Sequence, residues 1–157
     1  MEYIITHNKL NEHNIIFKLP IKNQNEKYLN FYKILYSNTE FSLKYILLKL
    51  DFTRYQIQDE LYKHKLILDK SDPFVDRIKD VEATILRAIN NNLNKKIVYN
   101  LANEISTKPH LYSFSHCPNL EHFYLKISGV WENETSIGLV YKFCYNTSTE
   151  KWSNRIC

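Results

Sequence analysis

The chain has 157 residues, of which 44% are hydrophobic and 24% charged, and its formal net charge is +4. This length and this balance of residues predict a single folded domain over residues 1–157 and exclude a disordered or fibrous protein. Because the net charge is small, bulk attraction to a polyanion is not enough to predict nucleic-acid binding by itself.

The cysteines and the apolar runs indicate a soluble protein of a reducing compartment. Cys117, Cys144 and Cys157 are an odd number and include no C-x-x-C pair, which argues against a disulfide framework. Apolar runs such as residues 45–48 are short and flanked by charge, and no secretory signal is recognisable. We therefore expect a cytoplasmic protein that has no membrane partner.

Residues 1–70 are predicted to form a β-meander. Alternation of apolar and polar residues predicts strands over residues 3–7, 13–19, 28–36 and 40–52. Pro20 and the polar residues 22–27 separate the second strand from the third, and Ser37-Asn38-Thr39 forms a hairpin turn before the fourth. Residues 53–64 are ambiguous and allow a helical turn, and residues 65–69 are a further short strand.

A helical insertion is predicted over residues 72–105. Asp72-Pro73 is typical of a helix start, with an N-cap residue directly before a proline. Steps of three and four residues relate the apolar side chains of Phe74, Ile78, Val81, Ile85 and Ile89. The Asn90-Asn91-Asn92 run ends this amphipathic helix. A second, shorter helix carrying Ile97, Leu101 and Ile105 is predicted to stop before Pro109.

Residues 110–145 are predicted to form a strand and a closing hairpin. Residues 110–116 are the strand, and Pro118-Asn119 turns the chain into the hairpin. Two alternating strands, centred on Leu125 and Tyr141, flank the polar connection 132–135. The only two glycines of the chain, Gly129 and Gly138, lie on either side of it, which indicates a bulge or a tight bend. Residues 146–157 form a polar tail.

This order of strands, helical insertion and closing hairpin predicts an α+β fold. Among common small folds, it best matches an OB-like small β-barrel of about five or six antiparallel strands, with the helical insertion before the C-terminal hairpin. The order of elements alone does not distinguish this barrel from other α+β arrangements.

No constellation of residues predicts catalysis, a cofactor or a metal. His110, His116, Cys117 and His122 lie close in sequence, but adjacent His116-Cys117 is a poor chelating spacing and no catalytic signature surrounds the cysteine. Asp69, Asp72, Asp76 and Asp80 suggest a Mg²⁺ site. However, a helix cap explains Asp72, and a solvated helix face explains Asp76 and Asp80. Two glycines cannot build a phosphate-binding loop. We therefore expect a protein that is not an enzyme.

Aromatic and basic residues supply the remaining functional signal. The chain contains twelve Tyr, eight Phe and two Trp, many of them beside a lysine. Exposed rings that stack on bases, flanked by lysines that neutralise phosphate, are typical of single-strand binding. The predicted binding residues are Tyr32, Lys33, Lys44, Tyr124, Lys126, Trp131 and Lys142. Tyr45 and Tyr141 are expected on the buried face. An A/T-rich genome would produce the same composition without selection for binding.

Two blocks of the sequence resemble a known group of proteins. FYKILYSNTEFSLKYILLKL (residues 31–50) and FYLKISGVWENETSIGLVYKF (residues 123–143) resemble segments of small proteins of cytoplasmic large DNA viruses and of the linear cytoplasmic DNA plasmids of yeasts. The resemblance implies an OB-fold single-stranded DNA-binding protein that coats DNA during replication. The acidic tail by which bacterial and phage proteins of this class recruit partners is not present at residues 151–157.

Two other functions remain open. The aromatic surface would also suit a protein-binding accessory subunit of a viral or plasmid transcription or capping complex, or a minor virion component, where Tyr and Trp act as anchors. Such a protein could bind replication or transcription proteins or form a homo-oligomer. A metal-dependent nuclease using Asp69, Asp72 and His116 is a third alternative. The choice of exposed face depends on strand register, because a slip of one residue exchanges core and surface.

Overall fold

A computed structural model of the chain describes residues 10–22, 29–53, 55–60, 63–108, 110–113 and 122–146. Within these ranges the fold is α+β, as predicted, and consists mostly of strands with two α-helices. The predicted strand over residues 3–7, the Pro118-Asn119 turn and almost all of the predicted tail lie outside the described residues.

The elements follow one another along the chain with short connections. In the first half the strands are β1 Ile15–Phe17, β2 Ile21–Lys22, β3 Asn30–Ser37, β4 Ser42–Leu43, β5 Ile46–Lys49, β6 Tyr55–Glu60 and β7 Lys63–Leu68. The second half comprises α1 Pro73–Leu93, β8 Lys96–Val98, α2 Asn100–Thr107, β9 His110–Ser113, β10 His122–Glu132 and β11 Ser136–Asn146. The helical insertion thus contains one short strand, β8, between its two helices.

The described strands form two sheets. In the larger sheet the order is β1-β3-β10-β11-β8, with β2 and β4 also paired to β3 and β5 paired to β10. This sheet curls into a half-barrel, and only β8 runs parallel to its neighbour, β11. The smaller sheet has the order β6-β7-β9. Buried side chains of both sheets and both helices, such as Leu66, Ile78 and Leu125, share one hydrophobic core.

The helical insertion agrees closely with its sequence pattern. Asp72 caps α1 by accepting a hydrogen bond from the backbone N–H of Phe74 at 2.9 Å, and the following proline starts the helix. All five apolar residues of the predicted stripe are buried. The helix ends at Leu93, and the next residue, Asn94, caps it in the left-handed conformation that asparagine tolerates. These local signals predicted the start and the apolar stripe of α1 correctly, but the Asn90-Asn91-Asn92 run, which was predicted to end the helix, lies inside it.

The start of the second helix, α2, is capped by a residue that lies outside its own sequence. Tyr99 precedes α2 without a capping hydrogen bond from its side chain. Instead, the buried carboxylate of Glu82 on α1 accepts hydrogen bonds from the N–H groups of Leu101 at 2.9 Å and Ala102 at 2.7 Å. Burial raises the pKa of Glu82 above its ordinary value, although these two hydrogen bonds oppose the shift. One helix thus caps the other.

Several predicted elements differ from the structure because of pairing between distant strands. Residues 40–52 were expected to form one long strand. They form two, because β4 pairs with β3 and β5 pairs with β10. β3 lies beside β10, so residues 1–70 are not a simple meander. Residues 55–60 form a strand rather than a helical turn, since they pair with β7. Ile97 lies in β8, before α2 begins.

Candidate nucleic-acid interface

The larger sheet has two faces, and one of them packs against the helices. That core face carries Leu125, Ile127 and Leu139, which are buried in the same cluster as the apolar side chains of α1 and α2. The opposite face, which we call the outer face, is defined by six side chains of β3, β10 and β11: Phe31, Lys33, Lys126, Trp131, Val140 and Lys142. Aromatic and basic residues therefore meet on the side of the sheet away from the helices.

A bulge in β10 decides which residues share the outer face. The pairing of β10 with β11 shifts between Ile127 and Gly129, so that Ser128 is an extra residue on β10. Because side chains alternate along a strand, one extra residue reverses the alternation beyond it. Lys126 and Trp131 consequently lie on the same face, although their odd spacing in the sequence would place them on opposite faces of a regular strand.

Two aromatic rings of the outer face lie directly over the two glycines. A Cβ on Gly138 would lie 2.4 Å from Cζ2 of Trp131, and a Cβ on Gly129 would lie 2.4 Å from Cε2 of Phe31. Neither glycine has a positive φ, so each serves to make room for a ring. Gly129 follows the bulge, as predicted, whereas Gly138 lies in a regular stretch of β11.

The two rings occupy neighbouring positions on the sheet. Phe31 and Trp131 are directly paired between β3 and β10, and both side chains are partly exposed. Paired positions on adjacent strands lie about 5 Å apart. We call this pair of rings the aromatic platform. It offers apolar ring surface to a planar ligand on a rigid element, because β10 is hydrogen-bonded on both sides at this point.

Three lysines share the outer face with the platform. Lys33 is opposite Gly129, and Lys126 is directly opposite Lys142. Among the described residues, no ion pair involves Lys33 or Lys142. The ammonium group of Lys126 lies 4.2 Å from the centroid of the Tyr45 ring. Lys126 and Lys142 thus place two like charges in directly paired positions of the sheet.

Two of the predicted aromatic residues do not present a ring to a ligand. Tyr32 lies on the core face, where it packs against the hydrophobic core and donates a hydrogen bond to Glu132 at 2.8 Å. Tyr124 belongs to the outer side of β10, but it is only 3% exposed and packs with Leu47 and Cys144. The prediction that both rings stack on bases is therefore wrong for this arrangement of side chains.

The hydroxyl of Tyr32 belongs to a polar cluster at the end of the hairpin. Glu132, which is 5% exposed, accepts hydrogen bonds from Asn30 at 2.7 Å and Tyr32 at 2.8 Å. Lys95 pairs with the same carboxylate at 2.6 Å and donates to the carbonyl of Asn133 at 2.7 Å. Burial and the Glu132 carboxylate together raise the pKa of Tyr32 to about 12. The cluster joins β3, the end of α1 and the hairpin connection.

The other predicted residues, and two that sequence reasoning missed, complete the description. Lys44 is exposed in the bend between β4 and β5, and it lies outside the six positions of the outer face. Tyr141 packs against the core, as expected. Tyr45 packs instead against the small buried cluster of Tyr124, beneath Lys126. The missed residues are Phe31 and Tyr45. The glycines were the available signal for Phe31, because a strand glycine often seats a neighbouring ring.

The sites considered for other chemistry have simpler roles in the described structure. No group of three or more His, Cys, Asp or Glu side chains within the described ranges is placed to hold a metal ion. His110 contacts the hydroxyl of Tyr112 at 2.7 Å. Asp72 is a helix cap, as predicted. His116 and Cys117 lie outside the described residues. In the part of the chain that the structure describes, no helix is long and apolar enough to cross a membrane.

Comparison with known proteins adds nothing to this geometry. No family model, no curated protein and no solved structure matches the chain. The functional argument therefore depends on the outer face itself.

Proposed function

We propose that this protein binds single-stranded nucleic acid on its outer face without catalysing a reaction. The observation that carries the proposal is the placement of the aromatic platform beside Lys33, Lys126 and Lys142 on one face of one sheet. Stacking of a base on an aromatic side chain contributes about 1–3 kcal/mol and tolerates any base, because every base has a π face. The lysines neutralise phosphates and release their counterions.

The geometry favours a single strand over a duplex. The rings of the platform rest on the sheet, so a base stacks on them only if it has left its own stack. In a duplex the bases are paired and stacked, and only the phosphates remain available to the lysines. The aromatic contribution is then lost, and the duplex binds more weakly than the single strand.

The finer fold that we propose is an OB-like barrel, and the ligand that we propose is single-stranded DNA. The curled half-barrel and the helical insertion before the C-terminal hairpin support the fold. The resemblance of residues 31–50 and 123–143 to small proteins of cytoplasmic DNA viruses and yeast linear plasmids supports the ligand. In that setting the protein would coat DNA during replication in the cytoplasm.

Titration with oligonucleotides tests the proposal. Substituting Trp152→Phe leaves Trp131 as the single tryptophan, so its emission reports on the platform. We expect quenching by single-stranded oligo(dT), weaker binding of a duplex of equal length, and an affinity that falls steeply between about 50 and 200 mM salt. Absence of binding to the single strand at the lower salt concentration would contradict the proposal.

One observation favours a second candidate, a protein-binding module. Ile16 is 47% exposed and pairs with Leu35, and Ile21 is 58% exposed and pairs with Phe31, so apolar surface continues from the platform towards β1 and β2. Such a surface suits an apolar protein partner. Binding through apolar contacts would persist at high salt and would not require an oligonucleotide. The same titration therefore distinguishes the two functions.

A further inference from the structure

Rings and paired lysines are separated along the outer face, and the regular strand β11 measures the distance between them. Gly138 lies opposite Trp131, and Lys142 lies opposite Lys126. Four residues of β11 therefore separate the row of the aromatic platform from the row of the two paired lysines. At about 3.3 Å per residue, this separation is about 13 Å. Lys33 lies in a row between them.

Within the described part of the outer face, open ring surface is found at one end. The two rings of the platform, Phe31 and Trp131, are both partly exposed. At the other end, Tyr124 is only 3% exposed, and the ammonium group of Lys126 lies over the Tyr45 ring. Bases therefore stack at the end next to the hairpin connection, and the phosphates that follow them reach the lysines.

The path from the platform to the paired lysines carries positive charge and no carboxylate. None of the six side chains that define the outer face is Asp or Glu. Glu132, the acidic residue of β10, is 5% exposed and its carboxylate contacts Lys95 and Asn30. A phosphate on this path therefore meets lysines and no like charge from these six positions.

We infer that the outer face binds a short segment of about three or four nucleotides, in one direction. The inference rests on the proposed function and specifies its ligand. A strand stacked as in a duplex advances about 3.4 Å per nucleotide, and an unstacked strand roughly twice as far, so about 13 Å spans two to four nucleotides. Four linked nucleotides contain three phosphates, one for each lysine of the face.

The direction of the strand follows from the placement of the lysines. Lys33 is on β3, Lys126 is on β10 and Lys142 is on β11, so the charges cross the sheet diagonally with increasing distance from the platform. A nucleic-acid strand is chiral. A base that stacks on the platform therefore directs its phosphates towards β3 or towards β11 according to the direction of the strand, and phosphate contacts fix that direction.

Oligo(dT) of increasing length, in competition with a longer labelled strand, tests the length of the segment. We expect affinity to rise steeply up to about four nucleotides and afterwards only in proportion to the number of binding positions. The slope of log affinity against log salt should reach about 2 at that length, because three phosphates contribute about 0.7 each. A steep rise that continues to about eight nucleotides would overturn the short segment. Absence of binding at every length would overturn the proposed function as well.

Half-abasic oligonucleotides test the direction. In a four-nucleotide oligo(dT), the two bases nearest the 5′ end or the two nearest the 3′ end are replaced by abasic sites. One of these strands should bind within about threefold of the intact strand, and the other should bind at least about tenfold more weakly, because it has no base at the platform. Equal affinities of the two strands would overturn the inference.

Two variants locate the difference between the half-abasic strands. Trp131→Ala should remove the difference, whereas the matched variant Trp131→Phe should retain part of it, because a ring remains. Lys142→Gln should lower the salt slope and keep the difference. Urea midpoints equal to that of the parent protein establish that each variant is folded. A folded Trp131→Ala variant that still distinguishes the two strands as the parent does would overturn the placement of the bases.

Discussion

Gly138 has no Cβ, and the indole of Trp131 occupies the space that a Cβ would need. A glycine inside a strand normally weakens it, because the unfolded chain has more conformational freedom to lose. At this position the missing Cβ gives the ring a fixed place on the outer face. The same relation holds between Gly129 and Phe31, where the backbone carbonyl of Tyr32 also lies 2.3 Å from the ideal Cβ position.

Gly138→Ala tests this role of the glycine. We expect the new methyl group to displace the Trp131 ring, to change its emission in a Trp152→Phe background, and to lower oligo(dT) affinity roughly tenfold. The free energy of unfolding should fall by about 1 kcal/mol, as overpacking commonly causes. In a Trp131→Ala background the same substitution should cost nothing. An equal cost in both backgrounds, measured by urea unfolding, would show that the ring is not the reason for the glycine.

Glu132 gives a prediction about pH. Burial alone would raise the pKa of this carboxyl, but hydrogen bonds from Lys95, Asn30 and Tyr32 outweigh burial and hold its pKa below the ordinary value of 4.5. The charged form therefore stabilises the fold above that pH. This stabilisation is lost as the pH falls through the lowered pKa of the folded state.

Glu132→Gln should accordingly lower the free energy of unfolding at neutral pH by about 3 kcal/mol, since it leaves Lys95 without its buried partner. The difference between the two proteins should shrink as the pH falls from 4.5 through the lowered pKa of the folded state, because the carboxyl takes up a proton first in the unfolded chain and then in the folded parent protein. Urea unfolding at a series of pH values measures this difference. A gap that stays constant down to strongly acidic pH would contradict the role given to the charge.

At the scale of elements, α1 shows what a sequence can predict by itself. Its cap, its proline and its apolar stripe act within one or two turns, so residues that are close in sequence carry the whole signal. The stripe also identified five of the eight buried residues of the helix, and it missed Val75, Glu82 and Leu86. The capping role of Glu82 was not predicted. Its carboxylate accepts hydrogen bonds from the first turn of α2, and this contact exists only when the two helices pack together.

The side chain of Asp72 accepts three hydrogen bonds from two residues, so its substitution should destabilise the fold. Asp72→Ala removes the cap of α1 and both contacts from Thr53, so we expect a loss of about 2–3 kcal/mol in the free energy of unfolding. Asp76→Ala, on the exposed side of the same helix, is the matched control and should cost less than about 0.5 kcal/mol. Similar urea midpoints for the two variants would refute this account of α1.

The strands show where sequence reasoning fails. The hairpin of β10 and β11 was predicted, because its strands are adjacent and its alternation is clear. The break between β4 and β5, at Lys44 and Tyr45, was not predicted. It arises because β4 pairs with β3 whereas β5 pairs with β10, a strand that is far away in sequence. Alternation alone also could not decide between Phe31 and Tyr32 as the outer ring, because β3 is apolar on both sides.

For the whole molecule, the central feature is the larger sheet, whose two faces carry different side chains. One face is covered by α1 and α2 and holds the hydrophobic core. The outer face carries the platform and the three lysines. The α+β class followed from the order of elements, whereas the curl of the sheet and the joining of β3, β10 and β11 on one surface required the structure. Of the four predicted lysines, Lys33, Lys126 and Lys142 lie on the outer face and Lys44 does not, and their role in binding stays a prediction.

The most direct test of the outer face compares two sets of charge substitutions. One variant carries Lys33→Gln, Lys126→Gln and Lys142→Gln. The control carries Lys79→Gln, Arg87→Gln and Lys108→Gln on the helices, so that both proteins lose three positive charges. We expect the first variant to lose oligo(dT) affinity and to lower the slope of log affinity against log salt by about 2, because each phosphate contact on a single strand contributes about 0.7. The control should keep the slope of the parent protein. Equal losses in both variants would mean that net charge, and not the outer face, attracts the strand.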